Sequence, residues 1–459
     1  RSSAFLLLLL PLPLPPALLL PLLAGCGAQK GRSPEIAAVR TFIHENWDST
    51  IQYSPRDTAT LIGLPHPYTV PTAGAMFREM YYWDTFFTNE GLVRDGHAEL
   101  AKNNTDNLLY MVRRFGKVYN GSRTYYEARS QQPYLSMMVD RVYRTTGDRA
   151  WLAEAYRTLE REYDFWMRER ITPVGLNRYG SSASDALVNE FLVTAGERLG
   201  TDFLAQGRTP EELHKLGLDF VAEAESGWDF NPRFERRCTD FCPLDLNANL
   251  FLYELNFARF ARELGRPQEE VQQWLDRARE RRARIMRYCY DPERRQFYDY
   301  DYVNDRRSEV LSAAVFSLLY TGAVTREYAP QIVAALDRLE YDCGIAACED
   351  RPYDYVYQWS YPNCWPPTCL YAVEGLARYG FEREARRLAG EWLQAVAATF
   401  RTTGNLWEKY NVLDGSTDVS AEYDTPAMLG WTAGTFICLD DYLSGSLTPE
   451  PLPEQLINY

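Results

Sequence analysis

The chain has 459 residues and a net charge of −14, with 63 acidic residues against 49 basic ones. This balance excludes a nucleic-acid-binding protein, which needs clustered basic residues, because the arginines here alternate with acidic residues and form no basic patch. Aromatic residues make up 14% of the chain. Such a content suits either stacking on sugar rings or the filling of a large helical core, and composition leaves both interpretations open.

The N-terminal residues are predicted to direct export. The apolar run from Ala4 to Leu23 contains prolines that would break a buried helix, so it is typical of a secretory signal and not of a domain. It ends in Leu23-Ala24-Gly25-Cys26, which is similar to the processing box of bacterial lipoproteins. In that family the cysteine is diacylated and becomes the first mature residue. The alternative is a soluble secreted protein in which this cysteine occurs by chance.

We therefore predict a signal peptide over 1–25 and a tether over 26–34 after a lipidated Cys26. The protein would be anchored to a bacterial membrane, in the periplasm or at the cell surface. The remaining cysteines fit export, because they form close pairs that could close small disulfides or stay buried as free thiols. These pairs are Cys238 with Cys242, Cys343 with Cys348, and Cys364 with Cys369. No histidine lies near them, which argues against zinc.

Apolar residues recur every three or four positions along much of the chain, which predicts helices. The clearest runs lie over 151–166, 246–260, 271–285, 370–376 and 385–396. Glycine after a helix, and proline or an acidic residue at the start of the next, mark their ends. No Gly/Ser-rich or Pro-rich linker interrupts the chain between Ser33 and Ser444. We predict one all-α domain of layered or toroidal form over 35–443, followed by a tail over 444–459.

Longer segments rich in glycine, proline and aromatic residues join the predicted helices. They lie over 71–87, 119–133, 225–231, 351–367 and 404–423. Binding and catalytic groups concentrate on loops that a rigid scaffold holds in place. Because these loops combine acids, amides, arginine and aromatic rings, they predict a cleft for a hydroxyl-rich ligand.

Two carboxylic acids stand out by their neighbours. Asp229 lies between Trp228 and Phe230, and apolar rings raise the pKa of a carboxyl, as a general acid requires. The alternative is that Asp229 caps the next helix. Glu408 has Lys409 beside it. Hydrolysis of a glycosidic bond needs one protonated acid and one ionised carboxylate, and the different surroundings of these two residues suit that task. Taken one at a time, each residue also fits a structural role.

Several segments together resemble the trehalase family of glycoside hydrolases, in the same order as in that family. They are Phe77–Thr85, Asn120–Arg123, Arg129–Gln131, Glu225–Phe230, Asp245–Asn247, Gln358–Trp365, Glu408–Asn411, Glu422–Tyr423 and Gly430–Thr432. The resemblance implies an (α/α)6 barrel whose long loops form the active-site cleft. It implies an inverting mechanism with Asp229 as general acid and Glu408 as general base, and no cofactor.

By the same resemblance a further set of residues would bind the sugar substrate. They are Arg78, Trp83, Asp84, Asn120, Arg129, Ser130, Gln131, Gly227, Trp359 and Glu422. The alternative for Trp83 and Trp359 is packing in the core.

The chain departs from the family pattern at some of its sugar-binding positions. Gly74-Ala75-Met76 stands where the family has two glycines and an arginine, and Ser360 and Cys364 stand where it usually has Asp and Gly. An Arg-Pro-Glu-Ser motif is absent, since Tyr179 is followed by Gly180–Ala183. Two expected arginines are thus missing, although Arg78 and Arg178 lie nearby.

These departures concern the substrate and not the reaction, because Asp229 and Glu408 are both present. The first hypothesis is an α,α-trehalase that hydrolyses trehalose to two glucose molecules. The alternatives are a related α-glucosidase that acts on another small α-glucoside, and a sugar-binding lipoprotein without turnover. A metalloenzyme would need histidines and carboxylates clustered at ligand spacing, which the sequence does not show.

Overall fold

The computed structural model describes residues 32–74, 76–419 and 425–449, and the chain from Arg32 onward is one compact unit. Most of it is helical. The helices are α1 (Pro34–Asn46), α2 (Tyr82–Arg94), α3 (Ala98–Phe115), α4 (Leu135–Thr146), α5 (Arg149–Glu169), α6 (Asp185–Arg198), α7 (Pro210–Ser226), α8 (Leu244–Glu263), α9 (Gln268–Cys289), α10 (Ser317–Thr321), α11 (Ala329–Val333), α12 (Leu336–Leu339), α13 (Pro366–Arg378), α14 (Glu382–Thr403) and α15 (Gly430–Ser444).

The strands are all two residues long and pair antiparallel. They are β1 (Ile51–Gln52), β2 (Tyr68–Thr69), β3 (Phe241–Cys242), β4 (Tyr290–Asp291), β5 (Gln296–Phe297), β6 (Tyr300–Asp301), β7 (Arg306–Arg307), β8 (Glu340–Tyr341), β9 (Gly344–Ile345), β10 (Asn363–Cys364) and β11 (Tyr410–Asn411). Such short pairs build no core of their own. They fix the loops between the helices.

Six helices form a closed inner ring. In order around the ring, α2 packs against α4, then come α8, α10, α13 and α15, and α15 packs against α2 again. Outside the ring, α3 packs against α2, α4 and α5, α9 against α8, and α14 against α13 and α15. This double ring confirms the predicted (α/α)6 barrel. The five clearest helical runs in the sequence correspond to α5, α8, α9, α13 and α14.

The ring closes where α2 meets α15, and two glycines allow this contact. A Cβ on Gly91 would lie 2.7 Å from the Cα of Gly434, and a Cβ on Gly434 would overlap the backbone oxygen of Phe87. The two helices therefore touch almost backbone to backbone. This close approach fixes the start of α2 beside the start of α15, and both ends contribute to the site described below.

The helices α6 and α7 form a hairpin outside both rings. They pack mainly against each other and enclose a small core separate from that of the barrel, which includes Leu192, Phe203, Phe220 and Phe230. Each helix starts with a side-chain cap, from Ser184 in α6 and from Thr209 in α7. The sequence analysis did not single out this hairpin.

The described cysteines, from Cys238 to Cys438, are all unbridged. The alternative of free thiols therefore holds for all three predicted pairs, and each of these thiols is buried except that of Cys343, which is partly exposed. In the third pair the Sγ atoms of Cys364 and Cys369 lie 3.3 Å apart as a thiol contact. Among the described helices, none is long and apolar enough to cross a membrane. Cys26 lies outside the described residues.

Candidate active site

A cavity of about 220 Å³ opens at the end of the barrel where the inner helices begin. The segments that enter it directly precede α2, α4, α8, α13 and α15, so the N-terminal ends of these helices surround it. It is lined by Pro71, Phe77, Tyr81, Trp83, Asp84, Asn120, Tyr126, Arg129, Gln131, Phe191, Arg198, Gly227, Asp229, Gln358, Trp359, Trp365, Glu408, Met428 and Trp431.

The first turn of α2 is joined to the segment before α4. Tyr81 and Gly121 form an isolated antiparallel bridge, and the backbone N–H of Trp83 donates to the side-chain oxygen of Gln131 at 3.1 Å. The Asn120 side chain donates to the Ala224 carbonyl at 3.0 Å, near the end of α7. These bonds hold Trp83, Asn120 and Gln131 at one wall of the cavity.

A buried carboxylate, that of Glu225, connects three of the segments at the site. It forms a double ion pair with Arg170, with Nε–Oε2 at 2.7 Å and Nη2–Oε1 at 2.9 Å. It also accepts the backbone N–H groups of Ser130 at 2.8 Å and Gly180 at 2.7 Å. Because every donor satisfies a different lone pair, the charge is buried at little net cost.

Asp229 stands on a sharp turn that follows α7. Gly227 ends the helix with φ +74, and a Cβ at this position would lie 2.9 Å from Cε2 of Trp83, so no larger residue fits. Phe230 also has a positive φ of 56. The next α-helix begins only at Leu244. Asp229 therefore does not cap a helix, and its half-buried side chain faces the cavity instead.

Glu408 is held between a strand pair and the start of α15. The strands β10 and β11 pair Cys364 with Tyr410, which brings the segment of Trp365 beside that of Glu408. The buried Lys409 ammonium donates to Glu408 Oε2 at 2.5 Å, and Trp431 Nε1 donates to the Glu408 carbonyl at 3.0 Å. The ammonium thus compensates the charge of a carboxylate that is only 2% exposed.

Tryptophans form one wall of the cavity. The ring of Trp359 stacks on Trp365 at 3.8 Å between centroids and on Trp228 at 4.8 Å. Trp83 packs against Trp359 at 5.6 Å and edge-on against Trp431 at 5.7 Å. Trp83 and Trp359 are therefore packed in the core and also line the cavity, so the two interpretations of their role are compatible. Flat apolar rings of this kind suit the face of a pyranose.

Burial raises the pKa values of two cavity carboxyls. For Asp229 the charges of Arg129 and Arg198 oppose that rise. For Asp84 the charge of Glu408 adds to it, and the pKa rises to about 8. The two carboxyls therefore differ in the charged groups that act on them.

Most of the predicted site residues line the cavity, and two of them do not. The guanidinium of Arg78 donates to the carbonyls of Thr72, Ala73 and Gly74 at 3.3–3.4 Å, so it holds its own loop together. Ser130 is buried behind the wall, where its backbone N–H is bound by Glu225. Glu422 lies outside the described residues.

The cavity also contains residues that the sequence analysis did not select. Tyr126 and Phe191 lie on the Arg129 guanidinium, at 4.9 and 5.3 Å from their ring centroids. Phe191 and Arg198 both come from α6 and lie seven positions apart, on one face of that helix. Tyr126 lies in the segment 119–133, which the sequence predicts to carry binding groups, so its aromatic ring was a usable signal. Phe191 and Arg198 carried no sequence signal, because α6 itself was not predicted.

The fold also brings together possible metal ligands that the sequence did not show. Among the described residues, His44, Asp95 and His97 form one cluster, and Glu90, Glu374 and Cys438 form another. Neither cluster lines the cavity. Asp95 follows the end of α2, about 16 Å along the helix axis from Asp84 in its first turn.

Comparison with known proteins gives consistent matches. The family model described as Trehalase matches residues 28–443. Neutral trehalase Nth1 from Saccharomyces cerevisiae is similar in structure, with a TM-score of 0.70 and 27% identity over 89% of this chain and 82% of that chain. A GH63 mannosylglycerate hydrolase from Thermus thermophilus shares the fold, with a TM-score of 0.59 and 15% identity over 87% of this chain and 99% of that chain.

The raised pKa of Asp84 predicts a pH-dependent stability. Between its ordinary pKa of 3.8 and about 8, folded Asp84 is protonated while unfolded Asp84 is ionised. The folded state therefore binds more protons, and its stability falls as pH rises through this window. Asp84→Asn removes this loss. We expect the variant to match the wild type near pH 4 and to exceed it at pH 9 by on the order of a few kcal/mol, measured by urea unfolding.

An exposed aspartate provides the control for this measurement. Asp164 is 60% exposed and pairs with Arg168 on the surface of α5, so Asp164→Asn should leave both pH values almost unchanged. Parallel curves for Asp84→Asn and the wild type from pH 4 to pH 9 would show that folded Asp84 is ionised at neutral pH.

Proposed function

The chain belongs to the trehalase family of glycoside hydrolases, and we propose that it cleaves α,α-trehalose into two glucose molecules with inversion at the attacked carbon. The observation that carries this proposal is that Asp229 and Glu408 line one cavity in contrasting surroundings. Asp229 has a raised pKa, and Glu408 is paired with a buried ammonium. Inverting hydrolysis needs one carboxyl of each kind.

In the proposed reaction, Asp229 is the general acid. It gives its proton to the oxygen that bridges the two sugars, and the bond between that oxygen and the attacked carbon breaks with its electron pair passing to the oxygen. After this transfer Asp229 carries a negative charge. The guanidinium group of Arg129, whose charge opposes the rise in the pKa of Asp229, stabilises that charge.

Glu408 is the general base in this proposal. It accepts a proton from a water molecule, whose oxygen then bonds to the attacked carbon on the face opposite to the leaving sugar. The ion pair with Lys409 orients the carboxylate, because Nζ holds Oε2. The next turnover requires the return of one proton to Asp229 and the loss of one from Glu408, both exchanged with solvent.

The remaining wall residues suit a sugar. Asp84, Asn120 and Gln131 offer oxygen and nitrogen atoms to the ring hydroxyls, and the tryptophan wall offers an apolar face. A second candidate substrate is another small α-glucoside. The observation that favours it is that Arg78, an arginine close to a missing family position, binds its own loop and does not enter the cavity.

The roles of acid and base can be separated with two substrates. Asp229→Asn should lower kcat on trehalose by about 10²–10⁴-fold, since general acid catalysis contributes that much. The same variant should keep most of its activity on α-glucosyl fluoride, because fluoride leaves without a proton. Glu408→Gln should lose activity on both substrates, because each needs an activated water. Steady-state kinetics on trehalose and the fluoride measures this.

The control is Glu127→Gln, which alters an exposed carboxylate in the loop before α4 and should leave both activities unchanged. Trehalose binding by the two inactive variants, followed by tryptophan fluorescence, should remain measurable. Full activity in either variant, or an equal loss on both substrates for Asp229→Asn, would contradict the assignment.

Inversion predicts the anomers that appear first. One glucose of trehalose is attacked and becomes the β-anomer, while the leaving glucose keeps the α-configuration. Proton NMR in the first minutes should therefore show β- and α-glucose in equal amounts, before mutarotation. With α-glucosyl fluoride only β-glucose should appear first. Release of α-glucose alone from either substrate would mean retention of configuration.

We further propose that the protein is exported and anchored to a bacterial membrane through a lipidated Cys26. The apolar run that ends at Cys26 supports this proposal. In a bacterial host, Cys26→Ser should move the protein from the membrane fraction to the soluble fraction, as should inhibition of the lipoprotein signal peptidase with globomycin. An unchanged distribution after both treatments would argue for a different form of export or retention.

A further inference from the structure

The α6–α7 hairpin adds its own residues to the cavity. Phe191 and Arg198 of α6 line it, although α6 belongs to neither ring of the barrel. The hairpin rests on its small core, in which Phe230 packs against Phe220 at 5.9 Å. Because Phe230 is the residue after Asp229, this core connects α6 directly to the turn that carries the acid. None of the segments that carry the family resemblance includes α6.

Ring contacts place these residues beside Asp229. The Arg198 guanidinium lies 5.9 Å from the ring centroid of Phe230, the residue after Asp229. The Arg129 guanidinium lies 5.3 Å from the ring centroid of Phe191, which is on the same helix as Arg198. An acid that protonates the leaving oxygen lies on the side of the leaving group. Arg129, Arg198 and Phe191 therefore lie on the leaving-group side.

The side chains on the leaving-group side suit a sugar ring, which carries hydroxyls at its edge and has apolar faces. Arg129 is 9% exposed and is enclosed by the rings of Tyr126 and Phe191, so its orientation is fixed. Arg198 is an exposed residue of α6 at the edge of the cavity. A guanidinium offers parallel N–H donors at the spacing of two neighbouring hydroxyls.

We propose that α6 forms the leaving-group subsite, in which Arg198 donates hydrogen bonds to neighbouring hydroxyls of the leaving sugar and Phe191 covers its apolar face. This inference rests on the proposed hydrolysis of a disaccharide and assigns part of its specificity to a hairpin outside the barrel. Glycosides whose leaving group lacks these hydroxyls gain nothing from Arg198.

The test compares two substrates that share the attacked glucose and differ in the leaving group. For Arg198→Ala, kcat/KM on trehalose should fall about 10- to 100-fold, because a hydrogen bond from a charged donor is lost. On α-glucosyl fluoride, which has no leaving sugar, the value should stay within about twofold. Arg198→Lys should recover only part of the loss, since an ammonium cannot bind two hydroxyls as a fork.

A matched control lies on the same hairpin. Arg208 is an exposed arginine in the α6–α7 connection whose Nε donates to Gln206, away from the cavity. Arg208→Ala should match the wild type on both substrates. Phe191→Ala should repeat the pattern of Arg198→Ala, with a larger KM on trehalose and little change on the fluoride.

Two results would overturn the inference while leaving the proposed function intact. An equal loss on both substrates for Arg198→Ala would mean that Arg198 only supports the fold. A shift of the alkaline limb of the pH–rate profile, with kcat/KM at the optimum unchanged, would mean that Arg198 acts only through the pKa of Asp229.

If the wild type cleaves the fluoride and leaves trehalose intact, the proposed substrate fails. The inference is then decided by the same criteria on the best substrate in a panel of small α-glucosides.

Discussion

The buried ion pair of Glu225 and Arg170 is the interaction on which the geometry of the cavity depends. Both side chains are almost completely inaccessible to solvent, and the carboxylate accepts four hydrogen bonds from three separate segments. Removing one partner of such a pair costs about 3–5 kcal/mol, because the other charge stays buried without compensation. Glu225 lies two positions before Gly227, so the same carboxylate also fixes the helix end from which the turn of Asp229 starts.

The closed ring of inner helices brings the segments that these bonds hold together at one site. Most segments at the cavity are anchored on one side by the start of an inner helix, and these starts lie together because the ring is closed. Below the tryptophan wall, the fully buried Arg233 pairs with Asp245 and Asp299 and lies 4.4 Å from the ring of Trp228. The wall is thus supported by a second network of buried charges. The two buried networks, those of Glu225 and Arg233, thus fix the relative positions of cavity residues that are far apart in the sequence.

The sequence predicted the main helices of the barrel, and it selected two carboxyls, Asp229 and Glu408, that line one cavity. The helices of the barrel bury one apolar face each, which gives a period that can be read directly, as in α5 and α9. Asp229 could be selected because its neighbours Trp228 and Phe230 are aromatic, and aromatic neighbours predict that its carboxyl is buried. The predicted direction of its pKa shift is confirmed, with burial as the main cause.

The hairpin of α6 and α7 and the orientation of single side chains were beyond such reasoning. In α6 the hydrophobic pattern is weak because the helix covers only a small core, so neither the helix nor Arg198 was predicted. Arg78 had the right charge near the right motif, yet three backbone carbonyls of its own loop bind it. A short sequence motif specifies which residue is present. It does not specify which of two nearby partners that residue binds.

The cavity holds three carboxyls, Asp84, Asp229 and Glu408. Burial, with a smaller contribution from the charge of Glu408, raises the pKa of Asp84 to about 8. The fold gives a buried ammonium to Glu408, through Lys409, and none of its own to Asp84. At neutral pH a protonated Asp84 can donate a hydrogen bond to a sugar hydroxyl as well as accept one. In the proposed mechanism Lys409 therefore favours Glu408 as the anion and leaves Asp84 as a proton donor. A cationic side chain beside Asp84 would make it a competing anion and weaken that distinction.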